Sequence, residues 1–126
     1  MQHGIHFISG LPRSGSTLLA GILRQNPRFH AGMTSPVGAM YKALEQSMSR
    51  RNETAVFIDG PRRRDILAGL FTNYYTKTQS TKVVFDTNRL WCAKLPALTQ
   101  LFPEAKIICC VRDVNWIMDS IERLVR

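Results

Sequence analysis

The sequence predicts one α/β domain over residues 1–126, a three-layer α/β/α arrangement around a mostly parallel sheet. Three observations carry this expectation. Short apolar runs rich in Ile, Val and Phe alternate with stretches of helical periodicity. Two of these runs pass into helical stretches through turns of only a few residues, as in strand–turn–helix units. Finally, 126 residues at 44% hydrophobic content suit a single core and are too apolar for a disordered chain.

Ile5-His6-Phe7-Ile8 reads as a buried strand, stopped by Ser9-Gly10-Leu11-Pro12. Ser16 to Gln25 places Leu18, Leu19, Ile22 and Leu23 on one helix face, and Asn26-Pro27 ends it. Pro36 to Arg50 has helical character, with Met40, Ala43, Leu44 and Met48 sharing a face. Ala55 to Ile58 reads as a strand or an apolar patch. Arg62-Arg63-Arg64-Asp65 leads into a helix over Ile66 to Tyr75, and the basic triplet reads as a solvated face. Lys82 to Asp86 forms a short strand with Asp86 at its carboxyl end. Ala93 to Phe102 is helical, with Pro96 suited to a first turn. Lys106 to Val111 is the strongest strand, and Val114 to Arg126 a helix with Asp113 as N-cap. Arg126 falls inside that helix with no stop signal, so the fold is expected to be incomplete at its C-terminus.

Seventeen Lys and Arg against nine Asp and Glu give a net charge of +8, which calls for an anionic partner. No apolar run is long enough for a membrane span, and the N-terminus lacks a signal-peptide pattern. A cytoplasmic protein is the expectation. Cys92, Cys109 and Cys110 have no metal-ligand spacing and read as buried, reduced, structural thiols. Cys109 and Cys110, adjacent on a strand, are expected to face opposite sides. No metal site is expected.

Gly10-Leu11-Pro12-Arg13-Ser14-Gly15-Ser16-Thr17 has the glycine spacing of a phosphate-binding loop, making the fold P-loop-like. Its glycines let backbone wrap a phosphate, while the next helix offers free N–H groups and the positive end of its dipole. The lysine that nucleoside triphosphatases carry after the second glycine is replaced by Ser16, and the cation is Arg13 inside the loop. In parallel sheets ligands bind beyond the carboxyl ends of the strands, the edge where residues 9–17 and 111–115 fall.

Pro12 to Leu19 resembles the 5′-phosphosulfate loop of the sulfotransferases that use 3′-phosphoadenylyl sulfate (PAPS). The Pro-Arg-Ser-Gly form is similar to the tyrosylprotein and bacterial branches. Arg112 and Ser120, with seven residues between them, resemble that family's 3′-phosphate motif, and Leu101 to Lys106 leading into the strand fits as well. Physically, Arg112 offers a fork of donors at a strand end, and eight helical positions rotate Ser120 by only about 80°.

The resemblance implies transfer of a sulfuryl group from PAPS to a hydroxyl or amine acceptor, releasing 3′,5′-ADP. It implies binding by Arg13, Ser14, Gly15, Ser16, Thr17, Arg112 and Ser120, with Arg13 stabilising the leaving oxygen. The acceptor is unidentified. The sequence departs from the family at the general base. Tyrosylprotein members place a glutamate where Met33 and Thr34 stand, and none of His3, His6 or His30 matches the histidine of cytosolic members. Asp86, in Asp86-Thr87-Asn88-Arg89, is the remaining candidate, with Arg89 assisting. A capping or salt-bridge role for Asp86 stays open, and Glu45 is a poorer candidate. Complete family members are considerably longer. Two other readings compete: a small kinase or nucleotide hydrolase with a degenerate loop and Lys82 to Asp86 as its magnesium-holding strand, and a basic nucleic-acid module using Arg62, Arg63 and Arg64.

Overall fold

The computed structural model describes residues 4–10, 16–32, 34–49 and 57–111. Four strands form one sheet: β1 (Ile5–Gly10), β2 (Phe29–Ala31), β3 (Val83–Thr87) and β4 (Ile107–Cys110). Their order is β2-β3-β1-β4, and every pairing is parallel. Helices α1 (Ser16–Arg24), α2 (Val37–Ser47), α3 (Gly60–Tyr74), α4 (Thr76–Gln79) and α5 (Leu95–Leu101) connect them, with a 3₁₀ helix over Arg89–Lys94. The anticipated α/β architecture with a parallel sheet is therefore present. The helix expected over 114–126 lies outside the described residues.

Alternation along the strands divides the core in two. Ile5, Phe7 and Val84 point to one face, where Val37, Tyr41 and Met48 of the α2 region pack with Leu67, Phe71, Trp91 and Leu98. Phe7, Phe71, Trp91 and Phe102 meet at ring-centroid distances of 5.4–5.8 Å, several of them edge to face. The opposite face holds Ile8 and Ala31 with Ala20 of α1, flanked by Leu19, Leu23 and Phe85. Among the described residues, α1 covers one face and α2, α3, α5 and the 3₁₀ helix the other, giving three layers.

Several local expectations need correction. β2 was unforeseen. Three residues carry too little periodicity to read, and it exists because β3 offers a parallel partner edge. In α2 the buried positions are Val37, Gly38 and Tyr41, then Met48 just beyond its end, whereas Met40 and Ala43 are exposed. Tyr41 decides this: its ring packs at 5.5 Å from Trp91 and rotates the helix accordingly. α3 begins at Gly60, six residues before Ile66, because Asp59 caps it by accepting a bond from the Arg62 N–H at 2.8 Å. Pro61 stands in its first turn, so the basic triplet lies within the helix, exposed along it as expected. Phe57 is exposed and not in a strand; residues 55 and 56 lie outside the described set. Pro96 does open α5, preceded by the 3₁₀ turn that the sequence ran together with it.

Gly38 marks the tightest approach. A Cβ there would lie 2.0 Å from Asn88 Nδ2 and 2.6 Å from Asn88 Cγ. That amide is not free to swing, since its Oδ1 accepts from the Leu90 N–H at 2.9 Å and caps the 3₁₀ helix. Gly38→Ala should therefore cost about 1–3 kcal/mol in urea unfolding, as overpacking against a fixed group does. Gly21→Ala, where a Cβ meets nothing within 4 Å, is the control and should not destabilise.

Candidate functional site

Parallel pairing sends every strand's carboxyl end to the same edge. Residue Gly10, at the end of β1, is in register with Cys110 at the end of β4. Consequently the phosphate-type loop and the segment entering Arg112 leave the sheet side by side. Gly10 has φ of 152°, a backbone conformation that residues with a side chain rarely adopt, and the chain turns out of β1 there. Helix α1 begins at Ser16, so Ser16 and Thr17 supply its first turn. Arg13, Ser14, Gly15, Arg112 and Ser120 lie outside the described residues.

The segment after β3 wraps the end of β1. The Asn88 N–H donates to the Ile8 carbonyl at 3.0 Å. Ser9, 1% exposed, donates its hydroxyl to the Arg89 carbonyl at 3.1 Å and accepts from the Cys92 N–H at 2.9 Å. Arg89 is thereby held next to the loop entrance with its side chain exposed.

Asp86 is 1% exposed, and three donors surround its carboxylate. Ser35 Oγ donates to Oδ2 at 2.6 Å, Tyr75 Oη donates to the same oxygen, and Trp91 Nε1 donates to Oδ1 at 2.8 Å. One side chain thus ties β3 to the turn before α2, to the end of α3 and to the 3₁₀ helix. Glu45, the poorer base candidate, pairs with Lys94 at 2.7 Å. His6 sits in the amino half of β1, where its Nδ1 accepts from the Lys106 N–H at 2.9 Å. Burial, then the Lys106 charge, lower its pKa, in keeping with a neutral ring that accepts at Nδ1.

Two cavities border the sheet. The larger, about 660 Å³, opens at the amino ends of the strands, between Gly4, Ile5 and His6 and the stretch 101–105. The smaller, about 260 Å³, lies at the carboxyl ends of β2 and β3, lined among others by His30, Thr34, Ser35, Tyr74, Tyr75 and Thr87. The smaller one lies at the carboxyl ends of the strands, the edge where ligands of parallel sheets bind, while the larger opens on the opposite side. Thr87 is 6% exposed and its hydroxyl lacks a protein partner, an unsatisfied polar group at a cavity wall. Of the lining residues, the sequence set His30 aside as a base and did not single out Tyr75 or Thr87. Only Thr87 carried a signal, as the last residue of a strand whose end was already suspected.

The cysteines depart from expectation. Cys92 and Cys109 are exposed and Cys110 is half-buried. Cys109 and Cys110 do face opposite sides, but β4 is the outer strand among the described residues, so burial there is incomplete.

Tyr75 has a pKa raised far above its ordinary 10.0, first by burial and then by the adjacent Asp86 carboxylate. Tyr41 is pushed up to about 12, mainly by burial. Unfolded tyrosines ionise near their ordinary value, so above it the native state holds the extra protons and stability falls as pH rises. These tyrosines should make the urea midpoint drop more steeply above about pH 10. Tyr75→Phe should lower stability by about 1–2 kcal/mol near neutrality, through loss of the bond to Asp86, and flatten the alkaline decline. An unchanged alkaline slope in that variant would contradict the assignment.

Comparison with known proteins gives the family of the chain. Residues 6–126 match the family described as "Sulfotransferase family". The chain is 28% identical over 113 residues to Protein-tyrosine sulfotransferase 1 of Homo sapiens, and equally to those of Mus musculus and Rattus norvegicus. The match covers 85% of this chain and 30% of each relative, so the chain spans well under half the length of these curated relatives. With residues 6–126 matched, the chain belongs to the sulfotransferase family.

Proposed function

We propose that this chain forms the nucleotide-binding part of a sulfotransferase that moves a sulfuryl group from PAPS to a hydroxyl or amine acceptor and releases 3′,5′-ADP. The observation that carries the reading is the register of Gly10 with Cys110, which brings the starts of both anion-binding segments to one edge. Ser14 to Thr17 surround the 5′-phosphosulfate with backbone and hydroxyl donors, and Arg13 offsets charge on the oxygen that leaves. Arg112 and Ser120 hold the 3′-phosphate. Arg89, held at the loop entrance, adds a third cation to the same edge.

The acceptor enters the smaller cavity, where the Thr87 hydroxyl lacks a partner and His30 offers an imidazole. Of the two roles the sequence left open for Asp86, we favour positioning. Three donors already engage its carboxylate and it is 1% exposed, so it is poorly placed to reach an acceptor's proton. The same burial and bonding weaken the kinase reading, which needs that carboxylate open to magnesium.

The test is a comparison of nucleotides. 3′,5′-ADP should raise the melting temperature more than ADP does, and Arg112→Ala should remove the difference, since only the 3′-phosphate separates the ligands. Arg13→Ala should weaken both nucleotides alike. Equal stabilisation of the unaltered chain by both, or stronger stabilisation by ATP with magnesium, overturns the reading.

A further inference from the structure

The thiols of Cys92 and Cys109 sit 3.1 Å apart, Sγ to Sγ, and both residues are exposed. A disulfide holds its sulfurs at about 2.0 Å, so closure needs a shift of only about 1 Å. Cys110 is excluded from the pair by the pleat: it points to the opposite face, half-buried against the cluster of Ile8, Ala20 and Ala31. Of three thiols, the fold therefore selects two.

Their position gives the pair a consequence. Ser9 touches both partners, being in register with Cys109 and accepting from the Cys92 N–H. It immediately precedes Gly10, where the phosphate-type loop starts. Cys109 lies three residues before Arg112, and Cys92 three residues after Arg89. A cross-link here would fasten the segment carrying Arg89 to the strand that delivers Arg112, across the end of β1.

We propose that Cys92 and Cys109 are a redox-sensitive modification site that forms a reversible disulfide by exchange with small disulfides of the glutathione class, and that closing it tightens binding at the neighbouring anion edge. The Cys92 thiolate attacks one sulfur of glutathione disulfide, forming a mixed disulfide and expelling one glutathione thiolate. Cys109, whose thiol its contact with Cys92 pushes up to about 11, gives up its proton and attacks the Cys92 sulfur. The second glutathione leaves as thiolate. Two protein thiols are oxidised, one glutathione disulfide is reduced to two thiols, and the two protons pass to the leaving groups. The effect on binding rests on the nucleotide reading above; the disulfide itself does not.

The experiment equilibrates the full chain in glutathione redox buffers and reads intact mass and peptide linkage. A loss of two hydrogens with a Cys92–Cys109 peptide, reversed by dithiothreitol and kept in Cys110→Ser, is the expected result. A persistent glutathione adduct, a link to Cys110, a cross-link between chains, or fully reduced thiols throughout would each overturn the site. Oxidation should also raise the melting temperature by about 5 °C or more, because the closed loop restricts the unfolded chain. Cys92→Ser, at an exposed position, should fold and lose this shift. Calorimetric titration with 3′,5′-ADP should then show roughly two- to tenfold tighter binding by the oxidised form, the gain expected from preorganisation. Equal affinity of the two forms refutes the coupling. Binding by neither form, with the disulfide present, refutes the nucleotide reading and leaves the modification site standing.

Discussion

The rest of this structure depends on the parallel pairing of β1 with β3 on one side and β4 on the other. Parallel strands with helical crossovers have no choice about where their carboxyl ends go: all reach one edge. With β1 flanked on both sides among the described residues, its carboxyl end has residues 86–92 on one side and Cys110 on the other. Residues far apart in sequence thus converge without any contact between the loops themselves being needed to bring them together.

What fixes this edge in detail is polar rather than apolar. The hydrophobic clusters set the layers, but Ile, Leu and Phe contacts are non-directional and tolerate small slips. The bonds around Asp86 and Ser9 do not. Asp86 collects donors from three separate elements, and Ser9 both donates to and accepts from the 3₁₀ helix. A buried carboxylate is costly unless its oxygens are satisfied, so the turn before α2, the end of α3 and Trp91 are each held at one geometry. The strand ends are rigid for the same reason that an acid tolerates burial there.

The same arrangement explains why the two cavities differ in meaning. The amino-edge cavity is the larger, but it opens at the end of the sheet away from Gly10, and its His6 is engaged with the Lys106 N–H. The carboxyl-edge cavity is small but adjoins the unsatisfied Thr87 hydroxyl and the Asp86 network.

Much of the fold was legible because its signals are local. The runs Ile5 to Ile8, Val83 to Asp86 and Ile107 to Cys110, the helical spacing after Ser16, and the glycine pattern from Gly10 all follow from neighbouring residues. The charge of +8 and the spacing of Arg112 from Ser120 belong here as well. The start of α3 was legible too, in Asp59 followed by Pro61, but the basic triplet obscured it. Other features arose only from long-range contacts. β2 needs the edge of β3, the buried face of α2 is set by Tyr41 against Trp91, and Asp86 acquires its donors from Ser35, Tyr75 and Trp91. The meeting of Cys92 with Cys109 is of this second kind. The sequence by itself determined the order of the described elements, because periodicity and turn preference act over a few residues. Tertiary structure alone decided which groups share the carboxyl edge, because strand order and register are settled between segments that the chain keeps far apart.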